Sequence, residues 1–461
     1  MGGHRQPDGV RADAATAEHL ASFDAAKQSL ENFTAPVLLD ERRTDQRLFV
    51  ASFDGTGNSK NDPGTLTNIA LIDEQIRRHA EHAEQMLGYT RLGRGYVEGP
   101  GTQGSISGMI DAIDGGSYGA RLEDMYLQFV KQAKKWVDGD PNADIRILST
   151  GFSRGAEQAA GFTRLIEERG IQDPTNAMFK RNADGLIIGE VTYPNLPLRE
   201  PGHVIQAAVL FDPVGTGAPR QNDRRLAESV VSGFQITALT ERRNLFQGTW
   251  ITDFGITPDG RFLNVGVAGA HSDIGGGYRR DGLAVLSGNL AIDYINGMIR
   301  PPPLGKRALP DDPDRYVVHR SNEHSRLYFT SVFDRRGERG MHDLLAPPTL
   351  CQIDCRDAMP RNEAMAARLE WRNVTIGAVQ GSVPVRSEGM DMPTFANGLL
   401  SAAARDDGIR ISGLTREQIV SDAGQTWLQS GFDALERQSR EFTERAAAHA
   451  APSHVMAAPE L

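Results

Sequence analysis

The sequence predicts an α/β protein with a mostly parallel central sheet covered by helices on both faces. Three observations carry this. Short apolar runs recur at 48–53, 145–149, 203–211 and 262–270, with the length and continuity of strands buried on both faces. Each run leads into a turn rich in Gly, Asp or Ser, in order DGTGNSKNDPGT, TGFSRG, DPVGTG and HSDIGGGY. Helical patterns follow the first two turns, over 66–86 and to about Glu168, and strands alternating with helices imply parallel connections.

The elements follow in chain order. Residues 1–45 are polar and Ala-rich, with Leu20, Phe23, Ala26 and Leu30 at helical spacing, and are expected to form an N-terminal extension outside the core. The main domain is expected over 46–345, its 66–86 helix capped by Thr65. Residues 170–202, rich in Pro, Asn and Gly, read as an insertion. A Pro- and Asp-rich stretch at 300–314 precedes an irregular region to about 412. At SGLTREQIV a helix start is expected, with Thr415 and Gln418 as a capping box and Leu414 and Ile419 as a hydrophobic staple. That helix would run to about Ala448, making 346–461 a mixed, largely helical C-terminal region. No internal repeat of fixed period is visible.

Bulk properties exclude several classes. At 39% hydrophobic and 24% charged, the 461 residues support a sizeable core. The formal charge of −10 and the lack of a basic stripe argue against nucleic-acid binding, and against electrostatic adhesion to anionic membranes. No run reaches the ~20 apolar residues of a membrane-spanning helix, and no secretory signal pattern opens the chain. The two cysteines, Cys351 and Cys355 in CQIDC, lack the second pair or His cluster of a zinc site. They are read as ordinary thiols, a local disulfide being the alternative in an oxidising compartment.

The sharpest motif is Gly151-Phe152-Ser153-Arg154-Gly155, a G-x-S-x-G between an expected strand and an expected helix. That context turns a glycine-flanked serine into a nucleophile elbow, which lifts the hydroxyl above the sheet and points a helix N-terminus at developing negative charge. The N–H of Arg154 is then one oxyanion donor. Serine needs a base, and in α/β-hydrolases the order along the chain is Ser, Asp or Glu, then His. Asp212 follows the third apolar run and His271 the fourth, which assigns them as acid and base. Turn or cap roles are the bland alternatives, and His342 in GMHDLL is the competing base. The early FDGTGNS loop lies where a second oxyanion donor belongs, from Gly55 or Thr56. Asp54, Asn58 and Asp62 also raise a cation site, but their spacing does not follow the EF-hand loop. No metal or cofactor is expected.

Taken in order, FDGTGNS, GFSRGA, FDPVG and AGAHSDIGGGY resemble a hydrolase family best known for the type VI secretion phospholipase effectors of the first lipase class. LTERRNLF, at 239–246, resembles a stretch these proteins carry between the Asp and His motifs, and the likeness covers about 47–280. It implies an α/β-hydrolase core with Ser153 as nucleophile, Asp212 as acid and His271 as base. It further implies ester hydrolysis of glycerophospholipids in the A1 or A2 sense. Such a toxin would be exported by a secretion-machine component into a neighbour's periplasm and neutralised in the producer by an immunity protein. A soluble carboxylesterase on a small-molecule ester and a non-catalytic secretion-associated binding protein are the alternatives. Two short segments are candidate bilayer contacts: Met109 and Ile110, and the insertion at 186–198.

Overall fold

The computed structural model describes residues 8–55, 66–99, 116–323, 339–351, 362–379, 397 and 400–401. The chain divides into two compact units, Met1–Val383 and Pro384–Leu461. Only Asn397, Leu400 and Ser401 of the second are described, so the expected helix from Leu414 past Thr415, Gln418 and Ile419 to Ala448 lies outside the described residues. So do Thr56, Asn58, Asp62, Thr65, Met109, Ile110 and Cys355.

The first unit is built on a seven-stranded sheet. Its strands are β1 (Gln46–Phe53), β2 (Leu92–Val97), β3 (Asp144–Phe152), β4 (Gln206–Phe211), β5 (Val230–Ala238), β6 (Gly255–Ile256) and β7 (Phe262–Val267). The order across the sheet is β6-β7-β5-β4-β3-β1-β2. Every pairing is parallel except that of the edge strand β6 with β7. This gives the expected α/β class.

Alternation along the strands explains the continuous apolar runs. On β1, Leu48 and Val50 join one buried cluster, while Phe49, Ala51 and Phe53 join the other. Helices α1 (Ala17–Glu31), α2 (Asn68–Leu87) and α6 (Gly282–Met298) contribute to the first cluster. Helices α3 (Tyr118–Gly139) and α4 (Arg154–Arg169) contribute to the second. A further one-turn helix, α5, covers His271–Gly275. Both sheet faces are thereby removed from water, as a parallel sheet requires.

Several expectations shift. The N-terminal segment is not outside the core: Phe23, Ala26, Leu30 and Phe33 are buried in the first cluster, because the apolar side of α1 closes over β7. Past residue 346, Met365, Ala366 and Val374 enter the same cluster, and Trp371–Asn373 pairs with Thr34–Pro36. The α2 cap is Thr67, whose side chain accepts from the Ala70 N–H. Cys351 is disulfide-bonded, which corrects the thiol reading. The 170–202 insertion contains an antiparallel hairpin, Met178–Arg181 with Ile187–Thr192.

Strand β2 was hidden by Gly93 and Gly95. A Cβ at Gly93 would lie 2.8 Å from the Trp136 ring, and one at Gly95 would lie 2.6 Å from Met125 Sδ. Large side chains from α3 occupy the space, so the apolar mass of that layer is written in the helix rather than the strand.

The chain steps from β1 outward to β2, then returns to the other side of β1 for β3. The carboxyl ends of β1 and β3 therefore flank a topological switch point, where open α/β sheets place ligands. Asp54 and Gly55 follow β1 there, and Ser153 follows β3.

Candidate functional site

Ser153 sits at the junction of β3 and α4 with φ 61° and ψ −128°, a conformation L-residues rarely adopt. The turn is over-determined. Its N–H donates to the Phe211 carbonyl at 3.0 Å, and its carbonyl accepts from Ala156 at 3.0 Å and Val214 at 3.3 Å. Both flanking glycines are obligatory: a Cβ at Gly151 would stand 2.2 Å from the Gly155 carbonyl oxygen, and one at Gly155 would stand 2.3 Å from that of Phe53. Gly155→Ala is therefore expected to cost ~3 kcal/mol or more by overpacking against backbone. A fall in Tm by calorimetry checks this, and a Tm equal to that of the parent would refute it. Arg154 opens α4, where the first N–H groups point out of the helix end.

Asp212 ends β4 with φ 40° and is fully buried. Its N–H donates to the Ile236 carbonyl at 2.7 Å, and its Oδ1 accepts from Ala238 N–H at 2.9 Å. His271 opens α5 beyond β7. Its Nδ1 lies 2.6 Å from Asp212 Oδ2, so strands far apart in sequence deliver the two side chains to one point. With a carboxylate on Nδ1, that nitrogen carries the proton and Nε2 keeps its lone pair. The ring is fixed by Phe152, with centroids 4.5 Å apart, and by the Phe246 edge at 5.1 Å. Burial holds the imidazole below its ordinary pKa, against the opposing pull of Asp212. Burial alone would raise the Asp212 carboxyl, but the Arg339 charge and the His271 hydrogen bond hold it low.

LTERRNLF surrounds this pair. Glu241 is buried and accepts the His271 N–H at 3.1 Å, the Arg243 side chain at 3.0 Å and the Ser321 hydroxyl at 2.9 Å. The Arg243 guanidinium lies 3.3 Å from the Phe246 ring centre. Arg339, absent from the sequence reading, grips Asp212 with Nη1 and Nη2 at 2.5 and 3.0 Å. No motif marks it in the sequence, since it lies 127 residues from its partner.

The other candidates are placed as follows. The Gly55 N–H donates to Asp54 Oδ1 at 2.7 Å, so it is spent on its neighbour rather than aimed at a substrate oxygen; Thr56 lies outside the described residues. Asp54 also accepts from Thr67 Oγ1 at 2.8 and 2.9 Å and from the Tyr96 hydroxyl at 2.5 Å. Burial pushes its carboxyl up to about 6 despite these donors. Among the described residues, no group of three or more His, Cys, Asp and Glu is placed to hold a metal ion. The ring of His342, on the short strand Met341–His342, meets the Arg220 guanidinium rather than a carboxylate. Asp273 turns away from the His271 ring: it accepts from Ala270 N–H at 2.8 Å and pairs with His319 Nδ1 at 2.5 Å.

The strained serine turn follows β3, and the buried Asp–His pair follows β4 and β7, two strands with β5 between them. Residues 47–184 match the family T6SS, Phospholipase effector Tle1-like, catalytic domain. The Tle1-like segment includes β1, the FDGTGNS loop and the Ser153 turn, whereas Asp212, His271 and Arg339 lie beyond it. Among solved structures, the Tle1 effector bound to the VgrG spike from the Type 6 secretion system is similar at 19% identity and TM-score 0.29. That alignment covers 53% of this chain and 52% of that one. An uncharacterized protein from Pseudomonas aeruginosa aligns at 14% identity and TM-score 0.34, over 90% of this chain and 65% of that one. A truncated carbohydrate esterase from gut microbiota aligns at 12% identity and TM-score 0.24, over 56% and 86%. The aligned parts thus span about half and two-thirds of the first two chains. No curated protein sequence matches the chain.

Proposed function

We propose that the protein is a serine esterase with an α/β-hydrolase core that cleaves acyl esters of glycerophospholipids, and that it serves as an antibacterial type VI secretion effector. The observation that carries this is the 2.6 Å Asp212–His271 pair beside the Ser153 turn. In this reading Ser153 attacks the ester carbonyl while His271 Nε2 takes its proton and later returns it to the leaving alcohol. Asp212 holds the tautomer and stabilises the transient imidazolium. The Arg154 N–H, at the positive end of α4, steadies the oxyanion. The Tle1-like match over 47–184 supports a phospholipid substrate. Exposed Leu239, Leu245 and Phe254, in the segments around the His271 loop, suit acyl chains. Partners under this reading are a secretion-machine component and an immunity protein.

The test is labelling by a fluorophosphonate that disappears in Ser153→Ala, followed by mass spectrometry of products from a phospholipid with distinguishable acyl chains. Release of lysophospholipid establishes the substrate class and separates A1 from A2 cleavage. Labelling without lipid cleavage would leave a small-molecule esterase, and an unlabelled protein would leave a binding module.

Two further outcomes are expected. Because His271 is held below its ordinary value of 6.5, the base is free already in mildly acidic solution. The acid limb of kcat/KM therefore has its midpoint below about 6.5, and a midpoint at 7 or above would contradict the burial argument. Exported to the periplasm of a test bacterium, the protein should kill and raise membrane lysophospholipid, whereas in the cytoplasm it should do neither. Equal killing by Ser153→Ala would refute the toxin reading.

A further inference from the structure

The conspicuous feature of the Asp212 environment is a cation where the proposed mechanism asks only for a carboxylate. Arg339 is nearly enclosed, its side chain 4% exposed beside a fully buried Asp212. Its guanidinium does more than pair with the acid. Nη1 donates to the Ala238 carbonyl at 2.6 Å, while Nε and Nη2 donate to the Phe246 carbonyl at 3.1 and 2.8 Å. One planar group thus ties the acid to the end of β5 and to the segment whose Phe246 ring edges His271. The fork geometry suits this, since guanidinium presents its donors in a fixed plane.

We propose that Arg339 is a positioning residue of the hydrolytic site, fixing the orientation of the Asp212 carboxylate and tempering the charge it presents to His271. The inference rests on the hydrolase reading. Three groups bear directly on the His271 ring: Asp212, Glu241 and Arg243. Glu241 and Arg243 are paired with each other at 3.0 Å, and they act on the imidazole in opposite directions. Arg339 is the cation in direct contact with Asp212, and it acts on the imidazole through that carboxylate. A carboxylate with its histidine alone would draw a proton onto the ring at higher pH. The shared cation counters that pull and keeps Nε2 open as a base, while the hydrogen bonds stop the carboxylate from rotating.

The experiment compares the full-length protein with Arg339→Gln and Arg339→Lys. Hydrolysis of p-nitrophenyl butyrate gives the pH profile of kcat/KM. In parallel, carbon-13 NMR of the His271 Cε1 resonance, identified by its loss in His271→Gln, gives the ring titration without needing turnover. In Arg339→Gln, both midpoints are expected to rise by about one pH unit and kcat to fall ~10–100-fold. Arg339→Lys should restore the midpoint but not kcat, because an ammonium supplies charge without the fork. A folded Arg339→Gln with unmoved midpoints would overturn the proposal, even if kcat dropped, since a merely structural role predicts that result. If Arg339→Gln does not fold, wild-type kcat in Arg339→Lys overturns it instead. A moved NMR midpoint in a protein that hydrolyses nothing supports the electrostatic coupling while removing the hydrolase reading.

Discussion

Under the proposed mechanism, Ser153→Ala and His271→Ala are each expected to leave a folded protein whose hydrolysis falls by about 10⁶-fold, to the residue supplied by oxyanion donors and binding alone. Nucleophile and base act as a unit, so removing either stops proton transfer and covalent attack together. The local geometry makes Ser153→Ala structurally mild. The Ser153 turn is held by its backbone bonds to Phe211, Ala156 and Val214, and an alanine Cβ stands where serine already has one. The His271 backbone remains tied to Glu241. Activity on a chromogenic ester, with Tm as the control for folding, checks the result. Near-normal turnover by His271→Ala together with loss in His342→Ala would transfer the base to His342, although that ring faces Arg220.

Asp212→Asn is expected to lower kcat by roughly 10⁴-fold with little change in KM, because an amide favours the wrong imidazole tautomer. The structure adds a second consequence. The substitution leaves Arg339 buried against a neutral partner, and breaking a buried ion pair from one side costs about 3–5 kcal/mol. Asp212→Asn should thus lose both activity and thermal stability, unlike Ser153→Ala. Steady-state kinetics and calorimetry on the two variants make the comparison. Wild-type kinetics for Asp212→Asn would move the orienting role elsewhere. Asp273 is a weak alternative, since its carboxylate is occupied by Ala270 N–H and His319.

What the sequence determined by itself is everything that depends on local pattern. Four apolar runs bounded by glycine-rich turns were enough to indicate a parallel sheet, and strands β1, β3, β4 and β7 lie on them. The glycines at 151 and 155 were legible because a strand-to-helix turn leaves room for nothing larger. The Asp212–His271 pairing was legible because each residue lies just past the carboxyl end of an apolar strand, β4 or β7. Strand β2 was not, because its apolar mass sits in Trp136 and Met125 on α3. Strand β5 was masked by Ser232, Gln235 and Thr237, polar residues whose buried bonds to Tyr294, Thr249 and Asn264 appear only after folding.

Only the tertiary structure decided which groups share a charge. Arg339 and Asp212 stand 127 positions apart, and His319 reaches Asp273 across 46. Neither pairing has a spacing, a period or a composition that could announce it. The same holds for Gly55: sequence offered its N–H as an oxyanion donor, but the direction of a single bond is set by the Asp54 carboxylate beside it. Periodicity and turn chemistry act over a few residues and can be read along a chain. Ion pairing inside a protein depends on which strand ends meet and on how little water remains between them, and chain order does not encode either in any local run of residues.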